Sequence, residues 1–137
     1  MGSGLKHSVA VTVVGAALLA SGCASIMGPP PTAEEIVAER AQERLDALLA
    51  WDLDKAYSFF SPATQGVYEK ADLASAYAGA RLLTAAKVQS VRCVVLRCVV
   101  VYLFYYKLLR PAFDNSRPIA EVWVNIDGKW YACLLYT

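Results

Sequence analysis

Four cysteines are the residues of this 137-residue chain whose type and setting most directly imply chemistry. Cys23 follows Leu18-Leu19-Ala20-Ser21-Gly22 and closes an apolar and small-residue stretch running from Val9 to Ala20, with Lys6 ahead of it. A basic residue, a short apolar run and small residues before a cut form an export signal, and the run is too short for a permanent membrane-spanning helix. A cysteine at that cut makes the pattern a bacterial lipoprotein signal. The Cys23 thiol would then carry diacylglycerol and the new amino terminus would be acylated, several chains holding firmly where one would not. An ordinary cleaved export signal with Cys23 incidental is the alternative. Cys93 and Cys98 flank Val94-Val95-Leu96-Arg97, a spacing that suits a disulfide across a tight hairpin in an oxidising compartment. Cys133 is left over and reads as a small buried apolar residue, since no histidine of the mature chain can serve as its base. The single histidine, His7, lies in the signal, and no second close cysteine pair completes a four-ligand set. No metal site and no cofactor are expected.

Signal removal also settles the charge. It takes Lys6 from the 13 Lys and Arg and leaves all 12 Asp and Glu, so the mature chain is neutral. A nucleic-acid binder needs a basic surplus, and none is present. Acids gather between Glu34 and Asp72 and bases between Arg81 and Arg117, which reads as two solvated faces. Three segments follow: a signal peptide over 1–22, a lipid anchor and Pro-rich tether over 23–31, and one domain over 32–137, long enough to bury a core. Pro29-Pro30-Pro31 makes the end of the tether stiff and extended.

The domain must begin with helices. Thr32-Ala33-Glu34-Glu35 has capping-box form, and Ile36, Val37, Ala41, Leu45, Leu48 and Leu49 recur at helical spacing, opposite Glu39, Arg40, Glu43 and Asp46. Trp51-Asp52-Leu53-Asp54 breaks this first helix. A short second helix over 55–60 stops at Ser61-Pro62, and a third covers Ala71 to Gly79, burying Leu73, Ala76, Tyr77 and Ala80. From Ala85 the period changes to two. Val88 and Val91, then Val99 to Tyr105, Ile119 to Ile126 and Trp130 to Tyr136 read as four strands, separated by turns at Pro111 with Asp114-Asn115-Ser116 and at Asp127-Gly128. The uncharged run from Cys98 to Tyr106 is apolar on both faces. Either a partner subunit covers the second face or the strand bends so that its ends meet different parts of one core.

This order resembles the nuclear transport factor 2-like (SnoaL-like) superfamily: a long helix, the acidic break at 51–54, Ala56-Tyr57-Ser58-Phe59-Phe60-Ser61-Pro62, and a sheet ending in Glu121-Val122-Trp123 and Asp127-Gly128-Lys129-Trp130. The resemblance spans Thr32 to Tyr136. It implies an α+β cone, with three N-terminal helices packed in a curved four-stranded antiparallel sheet (a cone-shaped barrel, cystatin-like), and a pocket at the wide end. Members include dehydratases, isomerases, dimeric binding modules and envelope-machine components, so the fold does not name a function. Isomerase-like members carry a tyrosine in the first helix about two turns before the acidic turn, where this chain has Arg44. The His-Asp pair of dehydratase-like members has no counterpart here. What remains is a carboxylate base, Glu121 ahead of Asp114, with the phenols of Tyr57, Tyr68, Tyr77 and Tyr102 as donors. For Glu121 the plainer reading, a strand residue paired to an Arg or Lys, is favoured, since a catalytic acid needs an apolar pocket and a placed partner. Tyr57, Phe60, Tyr68, Tyr77, Trp123 and Trp130, with Phe59, either line an apolar cavity or simply fill the core.

The sequence therefore reads as a lipid-anchored cell-envelope protein on the periplasmic face, held to the membrane through Cys23. Ala24 and Ser25 lack the aspartate that retains lipoproteins in the inner membrane of enteric bacteria, which points to the outer membrane. Its domain is expected to be a non-catalytic module that binds a small apolar ligand or assembles, with a homodimer through the sheet. The alternatives are a small lyase or isomerase using Glu121 and a structural subunit of an envelope or secretion complex.

Overall fold

The computed structural model of the chain describes residues 28–107 and 115–134. The signal segment, Cys23, Pro111, Asp114 and the last two residues of the fourth expected strand lie outside them.

Helix α1, Ala33–Leu49, opens with the expected capping box: the Glu35 N–H donates to the Thr32 hydroxyl at 3.2 Å and the Thr32 N–H to the Glu35 carboxylate at 2.8 Å. Two donors of the first turn, otherwise without helical partners, are thereby satisfied. Its inner face carries Val37, Ala41, Arg44, Leu45 and Leu48. The chain then turns through Trp51 at φ 58°, a left-handed conformation that side chains rarely adopt, under an Arg81 guanidinium 4.3 Å from the ring centre. Asp52 caps α2, Leu53–Ser58.

Here the helix count differs from the expectation of three. Ser61-Pro62 ends α2 and also starts a further helix, α3 (Pro62–Val67), because proline at the first helical position lacks only an N–H that would be unpaired anyway. The Ser61 hydroxyl accepts from the Thr64 N–H at 3.2 Å. Helix α4 is Lys70–Ala76, and the rest of the expected third helix tightens into a 3-10 turn, Ala78–Leu82.

Strands β1 (Leu83–Val94), β2 (Arg97–Tyr106), β3 (Ser116–Ile126) and β4 (Lys129–Cys133) form one antiparallel sheet in sequence order. It is α+β as expected, and the sheet is curved but does not close. Two register irregularities in β1, at Leu83/Ala85 and Val88/Ser90, bend it. The backbone groups disturbed there are taken up by Gln42 of α1, which accepts from the Val88 N–H at 3.0 Å and donates to the Ala86 carbonyl at 3.2 Å. The outer edge of β4 is partly covered by the chain after α2: Ala132 exchanges hydrogen bonds with Phe59 and Ser61.

The core lies between α1 and the concave face, where Val37, Ala41, Leu45 and Leu48 meet Ala86, Val100, Tyr102, Trp123 and Ala132. Strand β2 alternates. Cys98, Val100 and Tyr102 are buried, while Val99, Val101, Leu103 and Tyr105 stand on the convex face. A disulfide joins Cys93 to Cys98 at the end of the β1–β2 hairpin, and Cys133 is a free thiol. No helix among the described residues is long and apolar enough to cross a membrane.

Candidate functional site

Helices α1, α2 and α4 do not fill the concave face completely. A partly open cavity of about 470 Å³ remains, with Leu48, Phe60, Leu73 and Phe104 among its apolar walls. Tyr57, Phe60, Tyr68 and Tyr77 lie on it. Trp123 and Trp130 do not: both are buried core residues outside the lining, Trp123 with no exposed surface. The two indoles face inward on β3 and β4 and are taken up by the core. Phe59 itself is buried against Trp123, edge to face at 6.4 Å.

The polar groups converge on one wall. Arg44 reaches from α1 to Glu121 of β3, Nη1 to Oε2 at 3.0 Å, and its Nη2 donates to the Tyr77 hydroxyl at 2.7 Å. The same Glu121 Oε2 accepts from the Tyr102 hydroxyl and from the Trp123 indole N–H at 3.1 Å, which is shared with the Tyr102 oxygen at 2.9 Å. The guanidinium lies over the Phe60 ring at 4.7 Å and the Tyr77 ring at 5.5 Å. Arg44 is 2% and the Glu121 side chain 11% exposed, so this is a buried ion pair held by aromatic groups. The pair is costly to desolvate and strongly destabilising to break from one side only.

The protonation states follow. Burial pulls the Arg44 guanidinium down, but the facing Glu121 carboxylate and the tyrosines outweigh it, and the net displacement is upward. Tyr102 is pushed well above the usual phenol range by burial first and by Glu121 second. Tyr77 is also raised by burial, against the pull of Arg44. Both phenols are therefore neutral hydrogen-bond donors at physiological pH. Cys133, on the cavity wall, is raised mainly by burial, which keeps it a thiol.

Glu121 is paired to an arginine 77 residues away in the chain rather than to a neighbour on the sheet. Sequence reasoning placed Arg44 at the position of a catalytic phenol but not on the cavity wall. The indication was present: Arg44 falls three residues after Ala41 and four before Leu48, on the apolar stripe of α1, where an unpaired cation is not tolerated. Tyr57 is also committed. Its hydroxyl donates to the Tyr68 carbonyl at 2.7 Å, with that of Gln65 at 3.1 Å, and so fastens the link between α3 and α4.

No family profile and no curated protein matches the chain. Among solved structures it is similar to a protein of Campylobacter jejuni provisionally named an NTF2-like transpeptidase, at 12% identity and a TM-score of 0.55, over 71% of this chain and 96% of that one. A protein of Kribbella flavida aligns at 16% identity and a TM-score of 0.48, over 69% and 79%. The first likeness is one of fold: this chain has the nuclear transport factor 2-like fold.

Proposed function

We propose that this chain is a lipid-anchored protein of the bacterial envelope, on the periplasmic face of the outer membrane, whose domain holds a small, uncharged, mainly apolar ligand without reacting it. One observation carries the reading. Oε2 of Glu121, the inner carboxylate of the cavity, is already taken by Arg44, Tyr102 and Trp123. An oxygen held by three donors is poorly placed to remove a proton from a ligand. The pair also cancels its own charge, so apart from the exposed Asp72 carboxylate, which accepts from the Glu69 N–H, the cavity offers an incoming molecule apolar walls and neutral hydroxyls. Tyr77 accepts from Arg44 and can donate its own proton to a carbonyl or hydroxyl oxygen.

The name of the Campylobacter jejuni protein gives no reason to assign acyl transfer here. That chemistry needs an activated nucleophile with a base beside it. Cys133 is held as a thiol, and His7, the chain's single histidine, belongs to the expected signal peptide. A second reading, assembly through the sheet, is favoured by the convex face, where Val99 is 39% exposed beside Val101 and Leu103. A homodimer through this face and a ligand in the cavity are compatible.

The test of anchoring is fractionation of Cys23→Ala, which should leave the membrane pellet after a high-salt wash; persistence there would remove the lipoprotein reading. The test of non-catalysis is Arg44→Met/Glu121→Gln, which removes the carboxylate without leaving the buried cation unpaired and should leave apolar-ligand affinity nearly intact. Turnover of any isomerisable or dehydratable substrate that vanishes in this double variant would replace binding with catalysis.

A further inference from the structure

The β1–β2 hairpin ends in three apolar residues that stand out into solvent: Val94, Val95 and Leu96 are 76, 86 and 59% exposed. Turn positions ordinarily go to Gly, Asn or Asp, which tolerate positive φ. Here β-branched Val95 holds φ 54°, and the Cys93–Cys98 disulfide closes the base of the tip. The turn is thus a short, stapled apolar point, in a conformation its residues do not themselves favour. Ile126, at the β3–β4 turn on the same end of the sheet, is 38% exposed, and its neighbour Asn125 donates to the Leu96 carbonyl at 2.8 Å. Arg92, Arg97 and Lys129 are exposed around the point, with Asp127 the nearby exposed acid of the second turn.

What this end of the molecule faces is indicated by the start of the fold. The Glu34 carboxylate, in the first turn of α1, accepts from the Cys93 N–H at 3.2 Å. The domain therefore begins beside the apolar point. From Thr32 back to Cys23 is nine residues, which reach about 30 Å at full extension. A chain anchored at Cys23 keeps the start of the domain within that distance of the bilayer, with the tip beside it.

We propose that the β1–β2 tip is a membrane-surface contact: in the anchored protein Val94, Val95 and Leu96 enter the headgroup region of the bilayer that holds the acyl chains. The inference rests on the lipid anchor proposed above. Three side chains are too few to hold the protein alone, but tethering makes the encounter intramolecular and raises its effective concentration. The flanking Arg92 and Arg97 suit the interface, where long basic side chains place their charge among headgroups. The contact fixes which way the cavity opens relative to the membrane.

The test uses the full chain, purified from membranes and reconstituted in phosphatidylethanolamine and phosphatidylglycerol vesicles. An environment-sensitive fluorescent amino acid is placed by codon suppression at Leu96 or, as control, at Leu82, an equally apolar residue 63% exposed at the opposite end of β1. At position 96 the emission should shift to the blue and be quenched at least twofold by lipids with a nitroxide near the headgroup; at 82 it should do neither. Val95→Asp should return the position 96 probe to its aqueous spectrum. An intact mass lacking the acyl chains overturns the inference together with the anchor. An acylated protein whose position 96 probe stays water-like overturns the membrane contact alone, and in that case shielding of the probe in intact cells would indicate a protein partner instead.

Discussion

Replacing Arg44 by methionine tests the most consequential interaction in the fold. Methionine matches the aliphatic stem of the side chain but ends short of the guanidinium, so the change removes the charge together with the hydrogen bond to Tyr77 and the cation's contact with the Phe60 and Tyr77 rings. What is left behind is the Glu121 carboxylate, 11% exposed, with two neutral donors, Tyr102 and Trp123, and no cation. Breaking a buried pair from one side costs about 3–5 kcal/mol, and the two remaining donors place this case near the lower end, about 3 kcal/mol. At about 4 °C or more per kcal/mol for a domain of this size, the melting temperature should fall by more than about 10 °C. Urea unfolding of the Cys23→Ala chain at neutral pH, followed by tryptophan fluorescence, measures it. Arg44→Met/Glu121→Gln removes both charges and should be more stable than Arg44→Met alone, since coupled residues do not contribute additively. A cost below about 1 kcal/mol for Arg44→Met, or strict additivity in the double variant, would refute the buried-pair argument.

Three further outcomes are expected. Tyr77 and Tyr102 have pKa values raised above the ordinary 10.0 in the folded state, so the stability they contribute is complete below pH 10.0 and is lost as pH rises above it. Alkaline titration at 295 nm should find tyrosines that ionise only as the far-ultraviolet signal collapses, and reversible ionisation of every tyrosine near pH 10.0 in folded protein would contradict this. Cys93→Ala/Cys98→Ala should cost no more than about 2 kcal/mol, because the bridge closes a short loop, and thiol mapping of periplasmic protein should find Cys133 as the single free thiol of the mature domain. Leu103→Glu, on the convex face, should convert a micromolar dimer to a monomer in sedimentation; a wild-type monomer with no concentration dependence would mean that this face stays uncovered.

Much of the fold was legible because it is written locally. The capping box at Thr32 and Glu35, the break at Asp52, the period-two strands and the cysteine spacing each depend on residues within a few positions of one another. Ser61-Pro62 was ambiguous for a local reason as well, since the same pair that stops one helix caps the next. The site was harder. Trp123 and Trp130 are inward by alternation, yet alternation cannot say whether an inward residue meets a cavity or other core side chains, as Trp123 meets Phe59. The link from Arg44 to Glu121 spans 77 residues and exists only once α1 lies across β3. Its trace in the sequence was a cation on an apolar stripe, and its partner could be found only in three dimensions.

The central claim is that the cavity holds an uncharged apolar molecule because Arg44 and Glu121 neutralise each other. The most direct measurement is the melting-temperature shift produced by a medium-chain alcohol compared with the carboxylate and the amine of the same chain length. At about 100 times its dissociation constant the alcohol should add about 2.7 kcal/mol of stability, a shift of several degrees, while the two ions produce little. A carboxylate that stabilises as well as the alcohol or better would mean that Arg44 is available to the ligand, and the account of a self-neutralised, binding-only cavity would be wrong.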